Sequence, residues 1–286
     1  MGLMSDLAGM GLGNFVGTDI YADSKEKSPD HGTADNAANV PKEKDFIFDK
    51  SIDCPVCGKK FTTKIMKTGK AKLVHADKDL RPVYEGVDAT KYDVQMCTHC
   101  GYTALSRFFP MVTAAQAKLI KENISSKVVL PVFEGETYSY EDVMKQYQLA
   151  LACAVVKRSK NSERAYICLK SAWLMRGHYE SILHDATADK ATKDLVPTLK
   201  EREKEYLLNA YNGFVEARKT ESYPMCGMDE NTIEYLVAVL AIGFKKYDVA
   251  GQSVSAILTS LSANSRMKDK ARELKEEILE ALKKTK

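Results

Sequence analysis

From residue 139 to the C-terminus, apolar side chains recur every three to four positions, the spacing of amphipathic helices. Val143, Tyr147, Ala150, Leu151, Ala154 and Val155 share one face of a helix that Ser139-x-x-Asp142 opens as a capping box. Asn161-Ser162 opens a second helix, with Ala165, Leu169, Ala172, Trp173 and Arg176 in register and Gly177 as its expected end. Pro197 suits the first turn of a longer helix over residues 197–219, carrying Leu199, Tyr206, Leu207, Ala210, Tyr211, Phe214 and Val215. Asp229 caps a helix with Ile233, Leu236, Val237, Leu240 and Phe244. Val249, Val254, Ile257, Leu258 and Leu261 form the returning arm of that hairpin, and residues 266–283 form a last helix with Met267, Ala271, Leu274, Ile278 and Leu282. Thr113 starts a shorter helix over residues 113–123. Ala150, Ala154, Ala172, Ala241 and Ala250 are small residues where paired helices would cross, which suggests stacked helical hairpins, although no 34-residue self-similarity is present.

The pattern changes upstream. Over residues 46–110 short β-prone runs are separated by turn residues. Phe46-Ile47-Phe48 reads as a short strand, residues 61–66 and 71–75 as a hairpin around Thr68-Gly69, and residues 92–96 as a further strand. Residues 77–86 read as an ordered loop, and residues 104–109 as one helical turn closed by Pro110. Residues 1–45 read as a flexible tail. Met4, Leu7, Met10, Leu12 and Phe15 there are apolar, which suggests a short docking peptide, but Gly9, Gly11 and Gly13 oppose an independent helix. Residues 19–40 are polar without periodicity, as in a linker.

Composition changes this picture little. The 286 residues are 44% hydrophobic and 28% charged, ordinary for a globular chain of two domains. A net charge of +3 does not by itself imply a polyanionic partner. No run reaches the roughly 18 apolar residues of a membrane span, and the N-terminus lacks the basic and continuous apolar regions of a signal peptide. The expectation is a cytoplasmic protein with no membrane association.

The cysteines carry the strongest chemical signal. Cys54-Pro-Val-Cys57-Gly58 and Cys97-Thr-His-Cys100-Gly101 are two Cys-x-x-Cys-Gly turns with 39 residues between Cys57 and Cys97. Each turn presents two sulfurs on one side of a loop, and its glycine lets the backbone pass beneath. Two such turns supply a tetrahedral S4 set suited to Zn2+. Four thiolates fill the coordination shell, so the metal would be structural. A pair of redox dithiols is the competing reading, but the βαβ context of such motifs is absent. Cys153 and Cys168 lie on apolar helix faces and Cys226 lies in a loop, so the odd total of seven argues for a reducing compartment.

Several segments, in order, carry a resemblance: Phe46-Ile-Phe-Asp-Lys-Ser, the CPVCGKKF turn, Lys70-Ala-Lys-Leu, Asp77-Lys-Asp-Leu-Arg-Pro, Tyr92-Asp-Val and CTHCGYTALSRFF. The chain resembles the bacterial domain-of-unknown-function family 2225. That resemblance implies a split zinc ribbon followed by a tetratricopeptide-like helical region, with Cys54, Cys57, Cys97 and Cys100 as ligands. It implies no particular activity.

Two weaker constellations remain. Lys59, Lys60, Lys64, Lys67, Lys70 and Lys72 fall within fourteen residues with no acid among them. They are a candidate phosphate-contacting face, or simply a solvated hairpin. Asp77 and Asp79 with Arg81 are candidates for binding a hard cation or for acid–base work, or for plain turn chemistry with Arg81 as ion-pair partner. His75 and His99 read as bystanders, and Trp173 as core. No phosphate loop, dinucleotide fingerprint, zinc-protease helix or nucleophile elbow is present.

The sequence therefore predicts an α+β, mainly α protein: a tail over 1–45, a small β-rich zinc ribbon over 46–110 and a tetratricopeptide-like helical array over 111–286. The expected role is a non-enzymatic scaffold that takes a protein or peptide partner on its helices. Nucleic-acid binding through the lysines and an enzyme centred on Asp77/Asp79 are the alternatives, and oligomeric state is left open.

Overall fold

The computed structural model of the protein describes residues 41–284. The apolar segment at residues 4–15 and the polar stretch at 19–40 lie outside the described residues. After a single 3-10 turn at Glu43–Phe46, strand β1 (Ile47–Asp53) pairs antiparallel with β2 (Lys60–Met66), from Ile47 opposite Met66 to Asp53 opposite Lys60. The first cysteine turn is therefore the loop of a hairpin. Strands β3 (Leu73–Ala76) and β4 (Pro82–Tyr84) form a second hairpin. A 3-10 turn at Ala89–Tyr92 leads to a third, β5 (Val94–Met96) with β6 (Thr103–Leu105), which carries the second cysteine turn.

This corrects two expectations. Thr68-Gly69 is not the turn of a β-hairpin. The strand before it pairs backwards with β1, because the intervening cysteine turn folds the two strands onto each other. The later strand pairs forwards across Asp77–Arg81, where Asp77 N–H donates to the Arg81 carbonyl at 2.8 Å. Residues 103–105 are also strand rather than helix, held against β5.

The rest is helical: α1 (Ala114–Ile120), widening into a π turn at Lys121–Ser125, then α2 (Tyr140–Val156), α3 (Asn161–His184), the short α4 (Lys190–Lys193), α5 (Val196–Thr220), α6 (Glu230–Gly243), α7 (Tyr247–Thr259) and α8 (Ser265–Lys284). The architecture is α+β and mainly α. The expected caps form: Thr113, Ser139 and Asp229 each accept a backbone N–H three residues on. Helix α3 runs past Gly177, its expected end. The Asp88 carboxylate packs directly over the Gly177 Cα, where any side chain would collide. That glycine is required by close approach and not by a helix terminus.

Three groups of buried side chains hold the body together. Leu169, Phe214, Ile233, Leu236, Ile257 and Leu274 join α3 to α5 through α8. Ile47, Tyr92, Val94 and Leu105 from the strand region pack with Val143, Tyr147, Ile167 and Leu174 of α2 and α3. Beneath the cysteine turns lie Val56, Phe61, Tyr102, Phe109, Ile120 and Cys153. Polar ties reinforce the seam between strands and helices. The Tyr147 hydroxyl donates to the Thr90 carbonyl at 2.9 Å, and the buried Lys170 ammonium meets Asp93 at 2.5 Å. No helix among the described residues is long and apolar enough to cross a membrane.

Candidate metal centre and charged loop

The two cysteine turns are built alike. In each, the first cysteine's carbonyl accepts the glycine N–H, Gly58 to Cys54 at 2.8 Å and Gly101 to Cys97 at 2.9 Å. In each, the first cysteine's N–H closes the loop, Cys54 onto Lys59 at 3.0 Å and Cys97 onto Tyr102 at 2.9 Å. Both glycines sit at φ +72°, a conformation costly for any L side chain. His99 is not a ligand: its Nε2 meets the Lys60 carbonyl at 2.8 Å and ties the second turn to β2.

This construction brings Cys54, Cys57, Cys97 and Cys100 together, all four sulfurs within 4.8 Å of one another. Cys54 Sγ lies 3.6 Å from Cys100 Sγ, and Cys57 Sγ lies 3.7 Å from Cys97 Sγ. A tetrahedron with metal–sulfur bonds of about 2.3 Å has sulfurs about 3.8 Å apart. The spacing fits a metal ion at the centre. As bare thiols the sulfurs would share protons unevenly. Hydrogen bonds from Cys100 and Cys54 depress the pKa of Cys97, while those to Cys54 and Cys97 drive Cys100 far up. A divalent cation removes that conflict by accepting all four as thiolates. The residues therefore fit a metal. Among the described residues the group consists of these four cysteines, which suffice to close a tetrahedral shell.

The glycines predict a graded result. A Cβ at Gly58 would meet nothing within 4 Å, whereas one at Gly101 would lie 2.6 Å from Val128 Cγ1. Gly58→Ala should cost about 1–2 kcal/mol through backbone strain alone. Gly101→Ala adds a clash and should cost clearly more, read as the denaturation midpoint of each variant.

At Asp77, Asp79 and Arg81 the Arg81 ion pair expected of a turn is present, and it is part of a wider network that reaches the helices. Arg176, from α3, grips Asp79 with two nitrogens, NH1 to Oδ1 at 2.9 Å and NH2 to Oδ2 at 2.7 Å. It also reaches Asp77 at 2.9 Å and Glu203 of α5 at 2.7 Å. Arg81 bonds Asp77 at 2.7 Å and Glu180 at 2.6 Å, and the Trp173 indole donates to Asp79 at 3.1 Å. Asp79 is only 5% exposed and Arg81 the same, so the pairs are sheltered from water. Burial opposes ionisation of Asp77, but the Arg176 hydrogen bond and the Arg81 charge outweigh it and hold its pKa below the ordinary value. Asp77 and Asp79 are thus both engaged by arginine. They pin the β3–β4 hairpin to α3 and α5.

A family model described as an uncharacterized protein conserved in bacteria, DUF2225, matches residues 47–278. The chain belongs to this family. Neither the curated proteins nor the solved structures gave a match. The matched span of this DUF2225 chain takes in all four cysteines, the Asp77–Arg81 turn and its partners on α3 and α5.

The lysines of this DUF2225 chain do not form a bare basic face. Lys60 stands opposite Asp53 and Lys64 opposite Asp49 across the β1–β2 ladder, with Lys64 Nζ 3.1 Å from Asp49. Lys67 Nζ donates to the Asp45 carbonyl, and Lys59, Lys70 and Lys72 lie outside the strands, in the turns around them. Arg107 packs against Gly227, in the loop between α5 and α6.

Sequence reasoning did not find Glu180 and Glu203, which complete the charged network from α3 and α5. Their only signal was an acidic residue on an otherwise amphipathic helix, which is common on any surface. It gave no role to Asp88, whose carboxyl accepts the Thr90 N–H at 2.9 Å and the Tyr140 hydroxyl at 3.2 Å. Burial raises the Asp88 pKa. Asp88, Tyr140 and Arg81 line a cavity of about 440 Å³ with Gly177 in its wall.

Proposed function

We propose that the protein is a zinc-stabilised, non-enzymatic scaffold for protein–protein interaction in the cytoplasm. Zn2+ suits four thiolates in a closed tetrahedral set, where harder cations prefer oxygen. The metal's role in this reading is to hold two hairpins together. Helices α3, α5, α6, α7 and α8 share one buried cluster, which is compatible with a tetratricopeptide-like array, and such arrays leave long inner surfaces for partners. The observation that carries the reading is an open groove between α5 and α6, floored by Leu207, Val239, Leu240 and Phe244. Its apolar floor suits a protein side chain. The engagement of Asp77 and Asp79 by two arginines weighs against acid–base chemistry at that loop. The aspartates opposite Lys60 and Lys64 weigh against phosphate binding on β2.

The test is cross-linking of the tagged full-length protein in its own cells, with proteins and RNA both identified. The expected result is a recurring protein cross-linked to residues of α5 to α8. RNA recovered in a manner that depends on Lys59, Lys60 and Lys64, with salt-sensitive filter binding, would replace this reading with the nucleic-acid one. Neither protein nor RNA would overturn both.

A further inference from the structure

The groove between α5 and α6 has a defined chemistry. Its volume is about 300 Å³, the low end of ligand pockets and enough for one large side chain. Leu240 at its base is buried and Leu207, Val239 and Phe244 are partly buried, so an incoming apolar group displaces water from aliphatic and aromatic surface. Gly243, the last residue of α6, opens the wall: a Cβ there would meet nothing within 4 Å.

Lys78, Asp79, Arg176 and Lys204 line the rim. Arg176 is shared by Asp79, Asp77 and Glu203, so it leaves no free cation at the mouth. Lys78 is paired with Glu277 of α8. Lys204 is exposed on α5 and forms no ion pair among the described residues. Among the charged groups lining the groove, Lys204 is thus the one left for an incoming partner, beside an apolar floor.

We propose that this groove binds an acidic peptide segment of a partner protein, with one large apolar side chain seated on Leu240 and Phe244 and a neighbouring carboxylate paired with Lys204. The proposal rests on the scaffold reading above and names the chemistry of its partner. Apolar burial in the groove supplies the anchor, and the lysine selects the sign of the flanking charge. A basic flank would bring like charges together at Lys204 and be rejected.

The experiment uses the full-length protein and fluorescent ten-residue peptides carrying one Leu, Phe or Trp between glutamates. Control peptides carry alanine at the anchor or lysines at the flanks. Acid-flanked peptides with a large anchor should bind, and both controls should not. Gly243→Trp fills the groove without meeting a neighbour at its Cβ and should weaken binding by about 30-fold or more, as loss of an anchor does. Lys204→Glu should weaken it about tenfold, less so at high salt. Unchanged circular dichroism and melting of both variants would tie these losses to the groove. Equal binding to the Gly243→Trp protein, equal binding of lysine-flanked peptides, or no peptide binding would each overturn the proposal. If cross-linking still recovers a partner while the Gly243→Trp protein recovers it equally, the scaffold reading stands and only this groove assignment fails.

Discussion

Cys97→Ser should abolish stoichiometric zinc and unfold the two cysteine hairpins, β1–β2 and β5–β6, while leaving most of the helical content. Zinc in a four-thiolate site contributes on the order of 10 kcal/mol to folding. Its loss is comparable to the whole stability of an ordinary domain, about 5–15 kcal/mol. The damage should be graded by distance in the packing. Cys54, Cys57, Cys97 and Cys100 share a buried cluster with Val56, Phe61, Tyr102, Phe109, Ile120 and Cys153, so α1 and the end of α2 should loosen with the hairpins. The cluster of Phe214, Leu236, Ile257 and Leu274 has no member in common with it and should persist. Metal analysis should give close to one zinc per wild-type chain and none per variant. Hydrogen exchange should show lost protection in β1, β2, β5, β6 and α1, with α6 to α8 retained. Zinc retained by the Cys97→Ser protein, or unchanged protection in β5 and β6, would sink the four-sulfur assignment.

Arg176→Met should destabilise the protein by about 3–5 kcal/mol, the range for removing one partner of a buried ion pair. At this chain length that is a fall in melting temperature of roughly 6–20 °C. Methionine fills the volume but leaves Asp77, Asp79 and Glu203 facing one another without their shared cation. The protein's single tryptophan reports directly, because the Trp173 indole donates to Asp79 and its emission should shift in the variant. The pH dependence gives the sign. Asp77 has a folded pKa below its ordinary value of 3.8. Its contribution is therefore present above pH 3.8 and is lost as pH falls further, through the lower folded value. Arg176→Met removes one of the two arginines that depress Asp77, so part of this contribution is missing from the variant. The gap between wild type and variant should hold above pH 4 and narrow as pH falls below 3.8. A gap that stays the same size from pH 5 to pH 2 would mean that the network contributes little through charge. The double variant Arg176→Met/Asp79→Asn should recover part of the loss, since it removes one of the stranded charges.

These two results probe different parts of one body. Loss of the metal should leave Trp173 emission close to wild type, because Asp79 is held from α3. Loss of Arg176 should leave the zinc bound, because no cysteine touches the network. A variant that moved both readouts together would show that the strand region and the helices unfold as one unit.

Much of this was readable along the chain because it depends on neighbours in sequence. The caps at Thr113, Ser139 and Asp229, the helical faces of α2 and α5 to α8, and the two cysteine turns each need only a few consecutive residues to specify them. The Cys-x-x-Cys-Gly spacing in particular fixes both sulfurs and the positive-φ glycine within one loop. Strand pairing, the reach of α3 and the roles of charged groups were set elsewhere. Gly177 looks like a terminus until Asp88 is found lying against it from another element. Thr68-Gly69 looks like a hairpin turn until β2 is seen paired with β1. Asp77 and Asp79 suggest a local turn with Arg81, and Arg81 does bond Asp77, but nothing local announces Arg176, about a hundred positions away, which binds both. Local sequence determined the helices and the two halves of the metal site, because short-range sterics and hydrogen bonds decide those. Only the tertiary structure decided which strands pair and which charges meet, because burial and long-range ion pairing bring together residues that no local pattern connects.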